Sequence, residues 1–472
     1  MPGYRSALAA SKTKLKSALR PLLGALHGAQ PGLAPELWGL ADDPLRGLTL
    51  EDIPLSDLVA QFGSPLHVVR AARLRDNARR FQAVPPGATH GCEVFYSYKT
   101  NPVEGVLRLL HAQGIGAEVI SPFELWLAKQ LGVPPELTIY NGPAKSDDSI
   151  RDAVERGIQA INCNHREELP RVARIARELG KKARVALRVN TSVGWSGQFG
   201  TPIRGGQALA AYREALAMPE LSVVGIHAHR GGQIRNEPEL LQYLLEVLAF
   251  AGELERILPI PLEILNLGGS LGIATGEHLD DRARRRNELF HVDLPTPVAA
   301  QALTIERYLE LLVGGVESHY RRLGKARPRI FLEPGRAMTG NTQLLLTRVL
   351  TTKAMTGSTC AVLDAGINLA ESVRSEYHQV FAVQRHREAR SHVHSLVGPI
   401  CSPGDTLYPA LRLPPLVPGD CLAIMDSGAY FVPFSTSFSF PKPAIALLDD
   451  GAATLIRRRE TFDDLRRYES AP

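Results

Sequence analysis

The sequence predicts an α/β protein, a (β/α)8 TIM-like barrel joined to a C-terminal all-β domain. Between about residues 64 and 338, short apolar runs alternate with amphipathic helical patterns, the signature of parallel β/α units. The number of runs is close to what a barrel of eight requires, with one left over to lie outside the ring. After about residue 340 the alternation stops, and strand-like pieces follow one another with turns such as Val417-Pro418-Gly419-Asp420 between the later ones.

In chain order the barrel-region runs are 65–69, 94–98, 117–120, 137–140, 160–163, 185–189, 223–227, 264–267 and 330–332. Segments rich in Glu, Arg, Leu and Ala separate most of them, as at 71–81, 167–179 and 240–257, and their periodicity is that of surface helices. The stretch 275–299 is charged and irregular, and reads as an insertion or a loop. Strands of the second domain are expected at 342–351, 361–364, 379–384 and 392–397. The resulting division is an N-terminal extension and lead-in to the β domain (1–62), the barrel (63–338) and the β domain (339–472).

Size and composition narrow the function. A chain of 472 residues exceeds one ordinary core. Its 44% hydrophobic and 22% charged content is that of a soluble globular enzyme. A formal charge of +5 is too slight and too dispersed for nucleic acid. Arg284-Arg285-Arg286 and Arg457-Arg458-Arg459 read as solvated faces. No apolar run reaches the length of a membrane span. Five cysteines, odd in number and without metal-ligand spacing, point to reduced thiols in the cytoplasm and to no metal site. The first 35 residues lack Asp and Glu but carry Arg5, Lys12, Lys14, Lys16 and Arg20. A transit-like segment, a surface-seeking helix and an appended tail all fit that pattern.

The chemistry begins at Phe95-Tyr96-Ser97-Tyr98-Lys99-Thr100-Asn101-Pro102. A lysine just past an aromatic strand sits where barrel enzymes gather their functional groups. Partial burial of such an amine favours the neutral, nucleophilic form that makes a Schiff base. Alone, Lys99 is more economically a solvated strand-end residue; its company changes that. Gly268-Gly269-Ser270-Leu271-Gly272 follows an apolar run and can bring backbone N–H groups close to a phosphate. Glu333-Pro334-Gly335-Arg336 holds a carboxylate and a guanidinium together on a stiff turn. His227-Ala228-His229-Arg230-Gly231-Gly232-Gln233 offers imidazoles on one strand face, better suited to packing on a flat ring than to zinc, because no thiol or acid accompanies them.

Taken in order, these motifs resemble the diaminopimelate and ornithine decarboxylase family, the fold-type-III pyridoxal-phosphate enzymes built on an alanine-racemase-like barrel. The resemblance runs from about residue 65 to 443 and extends through Cys401-Ser402-Pro403-Gly404-Asp405 and Gly428-Ala429-Tyr430. It implies a pyridoxal 5'-phosphate-dependent decarboxylase of an amino acid or amino-acid-like intermediate. Lys99 would carry the cofactor and His229 would stack on its ring. Gly268, Gly269 and Ser270 would cradle the phosphate, aided by the Tyr430 hydroxyl. Glu333 would face the ring nitrogen, on the turn that includes Gly335. Arg336 would bind phosphate or a substrate carboxylate. Cys401 would be the proton donor, delivered by the partner subunit of a homodimer with shared active sites.

The same resemblance exposes departures. Ser402 stands where the family commonly places an acid that reads a distal ammonium, and an uncharged hydroxyl cannot neutralise such a group. Asp364-Ala365-Gly366-Ile367-Asn368 opens a family block whose usual Arg-Pro continuation is altered, leaving Arg374 as the arginine able to reach a substrate carboxylate. Gly232 replaces a usual serine. Together these changes suggest a pocket retuned for a different distal group, with Arg336, Arg374, Ser402 and Tyr430 as its substrate-binding residues. An amino-acid racemase or epimerase on the same fold is the enzymatic alternative, against which Glu333 speaks. A non-catalytic cofactor-binding homologue is the other, against which Lys99 and Cys401 speak.

Overall fold

The computed structural model describes residues 30–470, so the basic stretch 1–29, and with it the expected tail or helix, lies outside the described residues. The chain divides into two units. Of the described residues, one unit comprises 72–274 and 300–340; the other comprises 30–71, 275–299 and 341–470.

The first unit is a closed barrel of eight parallel strands: β1 (Glu93–Ser97), β2 (Gly116–Val119), β3 (Thr138–Tyr140), β4 (Ala160–Cys163), β5 (Ala183–Asn190), β6 (Leu221–Ala228), β7 (Ile264–Asn266) and β8 (Arg329–Leu332). Each pairs with the next, and β8 closes on β1 through Phe331 opposite Glu93 and Leu332 opposite Val94. These strands are buried on both faces, which explains their nearly continuous apolar reading. Phe95, Ile139, Ala160, Val224, Ile264 and Phe331 form a packed cluster in the barrel. Capped helices link the strands. Ser121, Asn236 and Thr304 each accept a backbone N–H as N-cap of the helices Pro122–Gln130, Glu237–Ile257 and Ile305–Arg322. Ile305, Tyr308, Leu309, Leu312, Val313, Val316 and Tyr320 recur at helical spacing and are the buried face of the last of these.

The second unit is built around a mixed sheet whose longest strand, Gln343–Met355, pairs with Leu66–Arg70, Ser358–Leu363 and Cys421–Ile424. Period-two alternation puts Leu344 and Leu346 in one core cluster and Leu345 and Val349 in another, so the strand is buried from both sides. Leu66–Arg70 is the run that falls outside the ring. It lies between Gln343–Met355 and Ala444–Asp449, where two downstream strands satisfy both of its edges. Residues 63–71, assigned to the barrel from the sequence, therefore sit in the sheet unit. So do 275–299, where Asp281–Phe290 forms a helix capped by Asp280.

Candidate active site at the carboxyl end of the barrel

β1 ends at Ser97 and passes directly into the single 3-10 turn Tyr98–Thr100 that carries Lys99. The Lys99 amine donates to Ser97 Oγ at 2.8 Å and lies 3.3 Å from Glu118 Oε2, the oxygen that also accepts the Ser97 hydroxyl. Glu118, near the end of β2, is fully buried. Its other oxygen accepts from Asn141 Nδ2 at 2.8 Å, and that same amide donates to Glu333 Oε1 at 2.9 Å. Asn266, the last residue of β7, donates to the same Glu333 oxygen at 2.6 Å. Glu333 Oε2 lies 3.4 Å from His227 Nε2. A continuous polar chain thus joins Lys99 to Glu333 across the barrel end.

The electrostatics follow from burial and contact. Burial by itself would raise the Glu333 carboxyl. Contact with the His227 imidazole and the Asn141 amide outweighs it, and holds the group below the ordinary carboxylate range. Glu124 shows the reverse: burial, reinforced by the Glu118 charge, pushes it up to about 7 despite the Ile120 N–H and the Lys99 charge. His229 is driven well below its ordinary value, first by burial and then by the Arg188 and Lys99 charges, so its ring is neutral. Burial likewise lowers Arg188, whose guanidinium lies 4.6 Å from the Phe199 ring centroid.

The glycine loop leaves β7 beside these groups. Gly268 (φ +65°) and Ser270 (φ +75°) both adopt left-handed backbone. Such a conformation beside Gly269 builds a concave array of amides. A Cβ on Gly268 would press on the His229 ring, and one on Gly269 would collide with the carbonyl oxygen of Glu333. The loop is held from behind by two buried phenols: Tyr308 donates to Gly269 O at 2.8 Å and Tyr243 to Leu267 O at 3.0 Å. His229 Nδ1 accepts Gly269 N–H at 3.2 Å, and Gly231 N–H donates to Ser270 Oγ at 2.9 Å. Trp195 packs where Gly231 leaves room, its ring 6.2 Å from that of His229.

Lys99, His229, Gly268, Gly269, Ser270 and Glu333 are therefore brought together. Gly335 contacts the same β1 turn, since a Cβ there would strike Thr100 Oγ1, and Arg336 opens the short helix Arg336–Thr339. Glu118, Asn141, Asn266, Glu124, Arg188 and His227 complete the site but were not assigned roles from the sequence. For two of them the signal was present: Glu118 and Asn266 are the lone polar residues of otherwise apolar strands.

The remaining candidates belong to the sheet unit. Cys401 is exposed. It begins a turn anchored by the buried Asp405, whose carboxylate accepts Ile400 N–H at 2.9 Å and Ile367 N–H at 2.8 Å. Ser402 Oγ accepts Gly404 N–H at 3.3 Å. Arg374, about half exposed, lies 3.5 Å from Glu371. Tyr430 takes left-handed backbone (φ +69°), and its ring stacks on Phe434 at 5.9 Å.

The barrel residues fit pyridoxal phosphate. They supply an amine beside a buried acid, a neutral flat imidazole and an amide cradle too tight for side chains. A buried carboxyl is held below its ordinary range there, and the Nε of the buried Arg188 has no hydrogen-bond partner among the described residues. The family described as pyridoxal-dependent decarboxylase, pyridoxal binding domain, matches residues 72–340. Fold, site and match agree: the chain belongs to the fold-type-III pyridoxal-phosphate decarboxylases, carboxy-lyases that act on amino acids. Among its relatives, diaminopimelate decarboxylase of Methanothermobacter thermautotrophicus is 32% identical over 88% of this chain and 94% of its own. The diaminopimelate decarboxylase of Aquifex aeolicus is 31% identical over 88% and 94%. The crystal structure of diaminopimelate decarboxylase from Methanocaldococcus jannaschii superposes with a TM-score of 0.79 at 26% identity, covering 92% of this chain and 98% of that one. Among the described residues no helix is long and apolar enough to cross a membrane.

Proposed function

We infer that this decarboxylase acts, as a homodimer, on an amino acid whose distal end differs from the simple ammonium of lysine or ornithine. Pyridoxal phosphate supplies a ring that takes up the electron pair left on the α-carbon when carbon dioxide departs. The chain's own residues set the conditions. Lys99 would hold the cofactor, with Glu118 and Ser97 fixing the position of its amine. Gly268, Gly269 and Ser270 receive the phosphate, and neutral His229 covers the ring face without adding charge. Glu333 holds a proton at the ring nitrogen, which makes the ring a full electron sink.

The single observation that carries decarboxylation over racemisation is the buried Glu333 carboxylate, which accepts from the Asn141 and Asn266 amides and lies 3.4 Å from the His227 imidazole. Cys401 gives the proton that replaces the carboxylate, and Arg336 and Tyr430 assist in binding. Ser402 supports the altered distal recognition, because it brings no charge to meet an ammonium. The test is carbon dioxide release from meso-diaminopimelate, L-lysine and L-ornithine by wild type and Ser402→Glu. The reading expects turnover of these substrates to be weak in wild type and to rise about tenfold in kcat/KM in the variant, the range of one recovered charge pair. Efficient wild-type turnover of meso-diaminopimelate, unimproved by Ser402→Glu, would overturn it.

A further inference from the structure

The segment 275–299 leaves the barrel unit between β7 and β8 and spends its length in the sheet unit. Its helix Asp281–Phe290 is fixed there firmly. The buried Asn287 amide donates to Val292 O and Ala410 O, Leu279 N–H donates to Ser375 O, and an Arg284 guanidinium donates to Arg374 O at 2.6 Å. So anchored, the helix forms one wall of a cavity of about 760 Å³ within that unit. The volume falls in the range that seats small organic ligands.

The charge of this cavity is one-sided. Arg284, Arg285, Arg374 and His291 line it, against Glu288 as the single acid. Asp281 and Glu371, which pair with Arg284 and Arg374, lie outside the lining, and Arg285 has no acidic partner among the described residues. A recess lined by three arginines and one acid, with Arg285 unpaired among the described residues, favours an anionic occupant. Arginine forks are shaped for the paired oxygens of carboxylate and phosphate. Ser358, Ser395 and Thr406 also line the cavity and bring hydroxyl groups to it.

We propose that this cavity binds a small organic anion bearing two or more carboxylate or phosphate groups, and that the 275–299 excursion exists to build it. The inference concerns the sheet unit alone and stands whether or not the substrate reading above survives. The anion is either the acidic tail of a substrate or a separate small molecule, and the test separates the two.

The cofactor-saturated enzyme is titrated calorimetrically with citrate and with pyrophosphate at low salt. Saturation of the cofactor keeps pyrophosphate from reporting on the barrel's phosphate cradle. One saturable site per chain is expected for at least one probe, weakened about tenfold or more by Arg284→Gln/Arg285→Gln and by Arg285→Glu. Visible cofactor absorbance should be unchanged in both variants, and affinity should fall as salt rises. Titration repeated with saturating amino-acid substrate then assigns the source: loss of binding means a substrate tail, retention means a separate molecule. Absent binding, or binding that ignores both variants, overturns the proposal. So does an Arg285→Glu variant that changes only the oligomeric state, since the arginines would then serve an interface between copies.

Discussion

The carboxyl end of the barrel and the 400–405 turn of the sheet unit both carry residues singled out for chemistry, yet they are built oppositely. In the barrel, Lys99, Glu118, Asn141 and Glu333 are joined by direct hydrogen bonds or ion pairs, and every acid among them is buried. In the turn, Cys401 is exposed, Ser402 bonds only within its own turn, and one buried carboxylate, Asp405, holds the loop from beneath. The first arrangement fixes geometry before any ligand arrives, which is what electrostatic catalysis requires. The second fixes only the stem and presents the tip outward. A preorganised network and a displayed tip should fail differently when cut.

The largest effect is expected at Lys99→Ala. It should abolish the visible cofactor band and the lysine adduct trapped by borohydride, and lower turnover by on the order of 10⁴-fold. Peptide mapping after borohydride checks this, and a trapped adduct elsewhere would move the assignment. Glu333→Gln should retain cofactor but lower kcat by about 10²–10³-fold, because a neutral amide cannot hold the ring-nitrogen proton. Cys401→Ala should lower kcat or change the product ratio by about 10–10²-fold with cofactor absorbance and thermal midpoint unchanged. An unaltered rate would leave the thiol without a chemical part. Asp405→Ala should do the opposite, costing about 3 kcal/mol in denaturant unfolding by stranding the Ile367 and Ile400 amides.

The smallest effect concerns pH. Glu124 is raised from 4.5 to about 7 in the folded chain, so between those values the folded state holds a proton that the unfolded state has lost. Stability should therefore fall as pH rises across that window, by roughly 1–3 kcal/mol. Glu124→Gln should flatten the profile, as unfolding midpoints from pH 5 to pH 8 would reveal. An unchanged slope would place the titrating group elsewhere.

The fold was largely legible because a parallel barrel writes itself as apolar runs, and all eight ring strands were read within a few residues. Leu66–Arg70 reads no differently from a barrel strand. Only its partners, far downstream, decide its sheet. The same limit hid the destination of 275–299, whose anchors at Ser375 and Ala410 are distant in sequence. At the site, Lys99 and the glycine loop were visible through local motifs. Glu118, Asn141 and Asn266 were not, because a single polar residue in or just after a strand acquires meaning only when the ring closes and brings it to a partner on a neighbouring strand.

The placement of Leu66–Arg70 also bears on how the chain matures. This strand precedes the barrel in the chain, but its two neighbours in the sheet, Gln343–Met355 and Ala444–Asp449, follow the barrel. The barrel strands can all pair while synthesis continues. The early strand must wait with both edges open, a condition that invites association between nascent chains. The sheet can close only once the Ala444–Asp449 strand has been made. A ribosome-stalled chain ending before residue 444 should hold a formed barrel beside an unfinished sheet.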